Sequence, residues 1–170
     1  IQFLLPIIIV MVVGEVTVRG KENLFIYRKT PFGERKYVFA KFVHGLLTVL
    51  PITAGLIAIP MFFDSQITFL SFFINIGMMS LIISGNVAFV IGLFCVNPAL
   101  SEKAMMLKLN VVIAVFVPIV LFMISIFVFI DANQEFVVDL IKIQLFQAGL
   151  TWLVGIVFLY FGIIRLKKIE

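Results

Sequence analysis

A chain of 170 residues that is 63% hydrophobic and 13% charged, with a mean hydropathy of +1.24, cannot cover itself with a water-compatible surface, because soluble domains are roughly half apolar and about a quarter charged. The composition excludes an ordinary soluble domain and points to an all-α, polytopic membrane helix bundle. The net charge of +4 and pI near 9.4 would suit a polyanion, but the cations are distributed as an orientation signal, so no nucleic-acid partner is expected.

A helix needs about 20 apolar residues to cross a hydrocarbon core of roughly 30 Å with its backbone groups satisfied internally. In chain order the predicted spans are 1–18, 42–63, 67–96, 109–130 and 143–164, about five in all, within a single membrane domain over residues 1–170. The chain opens on Ile1 inside an apolar run, which reads as a fragment lacking its natural start and an earlier span. No basic n-region or small-residue cleavage site marks the first segment as a signal peptide. Pro51 and Pro60 in the second span and Pro118 in the fourth each remove a backbone donor and are expected to kink their helices.

The connections test these spans independently, since Lys and Arg are retained on the cytoplasmic side. Arg19, Lys21, Arg28, Lys29, Arg35, Lys36 and Lys41 fall between the first two spans, Lys103 and Lys108 between the third and fourth, and Arg165, Lys167 and Lys168 after the fifth. Twelve of the 13 basic residues therefore lie in alternate connections, with Lys142 the exception. The expected topology is multi-pass in the cell (plasma) membrane, with the C-terminus cytoplasmic and the lipid bilayer as the surrounding partner.

Two cytoplasmic stretches follow. The first, 19–41, contains a mixed apolar and basic run, Asn23–Lys29, suited to a short amphipathic helix at headgroup depth. Thr30 then caps a second helix with Pro31 at its first position, and this helix runs through Lys41 into the span. The second stretch, 97–108, opens on Asn97-Pro98 and continues as a short helix with Ala104, Met105 and Leu109 on its apolar face. Either stretch can dock a cytosolic partner or simply anchor the bundle and close a helical hairpin.

Chemistry-bearing residues are sparse. Cys95 is the single cysteine, which excludes an internal disulfide and any thiolate cluster for a metal, and leaves packing as its expected role. His44 is expected as a neutral imidazole bonded to a carbonyl, since no intramembrane carboxylate accompanies it. Ser84, Gly85 and Asn86 put small and polar groups near the middle of the third span, either for close packing or to line a path. No metalloprotease or nucleophile-elbow motif is present, so the chain is not expected to be an enzyme, and the absence of a P-loop leaves it without a site for ATP. Asn97-Pro98-Ala99 matches half of the paired aquaporin signature, but the charged Ser101-Glu102-Lys103 that follows suits a cytosolic loop.

Gly20-Lys21-Glu22-Asn23 leading into an amphipathic segment, the Thr30-Pro31-Phe32-Gly33 turn, Lys36–Lys41 leading into a span, and Gly92-Leu93-Phe94 followed by Asn97-Pro98-Ala99 together resemble the permease subunits of the type 2 ABC exporter superfamily. The resemblance covers nearly the whole chain if a first span is missing. It implies that Glu22, Asn23, Tyr27, Arg28 and Lys29 face a cytosolic ABC ATPase, and that Pro31, Gly33, Glu34, Arg35 and Lys36 transmit its motion. It places Asn97, Pro98, Ser101, Glu102 and Lys103 in a second inner loop. It also implies a homo- or heterodimer of permease subunits, with ATP and Mg bound by the partner and no cofactor in this chain. The short connection 131–142 lacks room for the re-entrant hairpin of glycan-exporting relatives. The expected function is ATP-driven export, the alternatives being an ion-coupled or passive transporter, or a non-transporting scaffold subunit.

Overall fold

A computed structural model describes residues 4–14, 31–63, 68–96, 104–129 and 136–168, and every regular element among them is helical. Helix α1 (Leu4–Ile9) runs into a π-helical turn, Val10–Gly14; α2 spans Gly33–Phe63, α3 Phe69–Val96, α4 Ala104–Phe129 and α5 Phe136–Lys168. Four of these, α2 to α5, are long and apolar enough to cross a membrane. The segment Leu4–Gly14 is apolar but shorter, and the remainder of the expected 1–18 span lies outside the described residues.

Helices α2, α4 and α5 overrun the expected spans, α5 at both ends. Helix α2 starts at Gly33 rather than Phe42, so the basic residues Arg35, Lys36 and Lys41 belong to the same unbroken helix as the span. Residues 104–108, expected within a separate short helix, are the opening of α4. At about 1.5 Å per residue, helices of 26 to 33 residues measure roughly 40–50 Å, longer than a hydrocarbon core of roughly 30 Å. The charged ends of α2, α4 and α5 therefore extend beyond the apolar layer. Helix α3 has a built start: the Ser71 amide donates to Thr68 Oγ1 (3.3 Å), satisfying a donor that a helix N-terminus leaves open, and the Ser71 hydroxyl donates to the Thr68 carbonyl (2.7 Å).

Helix α3 is the axis of the bundle. Inside the bundle, 78% of its membrane-length window is buried, against 17–22% for the other three. Its second half carries most of the core, including Ile82, Ile83, Val87, Phe89, Val90 and Ile91. The first half is less enclosed, with Phe69, Leu70 and Phe73 largely exposed.

The closest packing lies between α3 and α5. A side-chain carbon added at Gly85 would stand 2.9 Å from the backbone of Thr151 and Trp152, and one at Gly92 would meet the backbone of Phe158 and Leu159. In the other direction, a carbon at Gly155 would stand 2.7 Å from the Gly85 carbonyl oxygen, and one at Gly162 would stand 3.0 Å from that of Gly92. Gly85, Ala88, Gly92 and Cys95 on α3, and Ala148, Thr151, Gly155 and Gly162 on α5, are separated by threes, fours and sevens. That spacing keeps one seam along two shallowly crossed helices. In lipid, helices associate through such close packing rather than by escaping water. Phe89 closes the seam edge-on against Phe158, with ring centroids 5.0 Å apart.

Residue numbers rise together along this seam, so α3 and α5 are parallel and α4 must run back between them. The Phe129–Phe146 ring contact at 5.3 Å puts the end of α4 beside the early part of α5, as an antiparallel hairpin requires. Helix α2 packs antiparallel on α3 through Gly45, where an added carbon would stand 3.1 Å from Val87 and 3.2 Å from Val13 of the π turn. Gly14 at the end of that turn lies beside Phe94. The start of α2, the end of α3, the start of α4 and the end of α5 thus share one end of the bundle. Arg35, Lys36, Lys41, Lys108, Arg165, Lys167 and Lys168 are all at that end, and Lys142 is the one cation among the described residues that lies away from it.

Candidate functional site

The basic end carries the first candidate, the turn that opens α2. Phe32 has φ 60°, the left-handed region, which costs an L-residue about 1–2 kcal/mol. The Lys36 amide donates to the Phe32 carbonyl at 3.2 Å, so Phe32 occupies the capping position and Gly33 begins the helix. This corrects the expectation of a Thr30 cap with Pro31 as first helical residue: Pro31 lies in the turn before the helix, and Thr30 is outside the described residues. The register suits the residues that follow, since Tyr37 and Val38 are buried in the bundle while Arg35 and Lys36 stay exposed. The Arg35 guanidinium lies 5.8 Å from the centroid of the exposed Phe32 ring, and the Lys41 ammonium 5.6 Å from that of Tyr37. Both are cation–π distances.

The turn is therefore a strained elbow pinned to the core by its second helical turn. Replacing Phe32 with glycine should raise the stability of the detergent-solubilised protein by about 1 kcal/mol by removing the left-handed penalty. Phe32→Ala, which keeps the penalty, should give no gain in the same thermal unfolding measurement.

Of the predicted coupling residues, Pro31, Gly33, Glu34, Arg35 and Lys36 come together at this elbow. Glu22, Asn23, Tyr27, Arg28 and Lys29, and the second inner loop residues Asn97, Pro98, Ser101, Glu102 and Lys103, lie outside the described residues.

The second candidate is the middle of α3. Ser84 is half-buried and donates to the Leu81 carbonyl at 2.9 Å, Gly85 meets α5 at Thr151, and Asn86 is fully buried. His44 is exposed on α2, where its backbone carbonyl accepts the Thr48 hydroxyl at 2.8 Å. Cys95 is buried on the seam beside Gly162. Among the described residues, no group of three or more His, Cys, Asp or Glu could hold a metal ion.

A set of buried amides and hydroxyls was not singled out in the sequence. Thr53, Asn110, Ser125, Gln144, Gln147 and Thr151 are each at most 5% exposed. The hydroxyls of Thr53, Ser125 and Thr151 turn back on carbonyls of their own helices. Among the described residues, no protein group lies within hydrogen-bond reach of buried Asn110 Nδ2 or Gln147 Oε1. The signal was present as uncharged amides inside apolar runs, but a search for ionisable residues passes over them. Gln144, Gln147 and Thr151 lie on one edge of α5 by their spacing, and that edge is the one facing the seam.

Comparison of the chain with known protein families, curated proteins and solved structures gives no match.

Proposed function

We propose that this chain is the membrane-spanning permease subunit of an ATP-driven exporter of the type 2 ABC superfamily, working as a dimer of such subunits with separate cytosolic ATPases. The observation that carries the reading is the continuity of α2. The elbow at Pro31–Lys36 is the start of a single helix that reaches Phe63 at the opposite end of the bundle, so a push on the elbow displaces a whole span. The exposed Arg35 and Lys36 present charge for a partner to grip, and the burial of Tyr37 and Val38 ties the elbow to the span it would move. In this scheme the partner holds ATP and Mg, its closure drives the elbow, and α2 moves against the rigid α3/α5 pair to alternate access between the two sides of the membrane.

A second reading is favoured by the buried Asn86, Gln144, Gln147 and Thr151, since transporters without an ATPase bind cargo through polar groups near mid-membrane. The two readings part in a vesicle assay of export. Collapse on ATP depletion but not with an uncoupler is expected for the exporter, and the reverse pattern would overturn it. Recovery of the solubilised protein with no ATPase attached would instead favour a scaffold subunit.

A further inference from the structure

The α3/α5 seam changes character one turn from Gly85. At Gly85 and beyond toward the basic end, the closest approaches are of glycine, Ala88, Thr151 and Cys95 to facing backbone and to one another. Toward the other end, the inward edge of α5 presents Gln147 and then Gln144, each at most 4% exposed. The register that pairs Gly85 with Thr151 and Gly92 with Phe158 sets these two amides level with α3 around residues 77–82. That level is near the midpoint of α3, which spans Phe69–Val96.

Among the described residues, no protein donor serves Gln147 Oε1. The hydroxyls of Ser80 and Ser84 donate to Gly77 and Leu81 carbonyls at 2.7 and 2.9 Å, and Thr151 donates to the Ala148 carbonyl at 3.0 Å. The nearby hydroxyl protons are thus committed to their own helices, and Gln147 Oε1 is left without a partner. Buried amides in proteins are almost always satisfied, by ordered solvent or ligand where not by protein. No carboxylate lies on this edge of α5, so its chemistry is that of a neutral site.

We infer that the Gln144–Gln147–Thr151 edge of α5 holds a hydroxyl-bearing molecule at mid-depth, with the bound O–H donating to Gln147 Oε1. A hydroxyl also accepts, so the neighbouring amide of Gln144 and the free lone pairs of Thr151 can complete its shell. The chemistry is shared by water and by a small polyhydroxylated cargo. The inference rests on the seam geometry and holds whichever way transport is powered.

The test uses the full chain, purified with native lipid and labelled with [13C]glutamine, compared with Gln147→Leu by infrared difference spectroscopy. The side-chain carbonyl band lost in the variant is expected at the frequency of a hydrogen-bonded amide, and a band at the frequency of a free carbonyl would overturn the proposal. Exhaustive detergent exchange then separates the two sources. A band that persists and responds to H2(18)O identifies water, whereas one that shifts as a hydroxylated compound appears in the wash, detected by mass spectrometry, identifies cargo. Thermal unfolding gives an independent check: Gln147→Leu should leave the melting temperature unchanged or lower it, and a clear rise would show that the wild-type amide is a dry, unsatisfied group.

Discussion

Replacing Gly92 with leucine should be the most damaging single change in the described bundle. The added side chain would be forced into the Phe158–Leu159 backbone of α5, which cannot step aside as a flexible side chain does. Overpacking a core ordinarily costs about 1–3 kcal/mol, and a clash with a helix backbone belongs at or above the top of that range. Prising the helices apart would also forfeit the neighbouring contacts at Gly85, Gly155 and Gly162. Unfolding in mixed micelles, followed by circular dichroism or Trp152 fluorescence, should show the loss directly. The comparison variant is Gly77→Leu: nothing lies within 4 Å of an added carbon there, so a change within about 0.5 kcal/mol is expected. Equal damage at both positions would mean that α3 and α5 do not meet along this seam.

The second large effect is all-or-none. In a background where Cys95 is replaced by alanine, a cysteine at Lys36 and one at Phe69 should label from opposite sides of the membrane with an impermeant maleimide. Both positions are exposed, and they lie at opposite ends of the bundle, since Lys36 is in the opening turn of α2 and Phe69 opens α3. The cation distribution further predicts that Lys36 is the cytoplasmic one. Labelling of both from one compartment would remove the membrane-spanning arrangement and the exporter proposal with it. Labelling from opposite sides with Lys36 outward would leave the bundle standing but put the elbow beyond the reach of a cytosolic ATPase, and would overturn the exporter proposal.

The two candidate regions differ in how much the residues alone revealed. The elbow was legible because turns and charge are local: a Pro-Phe-Gly sequence before Glu34, Arg35 and Lys36 marks a break and a basic helix start whatever surrounds it. Its details were not, because Phe32 in the left-handed region goes against its own preference and is held there by the burial of Tyr37 and Val38. The mid-depth amides were legible only as residue types. Whether Gln147 faces lipid, a neighbour or a ligand depends on the rotation of α5, and nothing within residues 143–164 fixes that.

The sequence by itself determined that the chain is helical, that four of its five apolar stretches are long enough to cross a membrane, and that nearly all of its cations cluster at alternate ends of them. These follow from sums over neighbouring residues: transfer of apolar side chains into lipid, and the cost of carrying basic groups across it. Only the tertiary structure decided that α3 is the axis, that α3 and α5 run parallel on a glycine seam, and that the seam becomes polar at mid-depth. The physical reason is that lipid and protein interior are equally apolar, so membrane helices carry hydrophobic residues all round and show no amphipathic stripe to mark the inward face. Close packing then chooses that face, and packing is a property of two surfaces brought together.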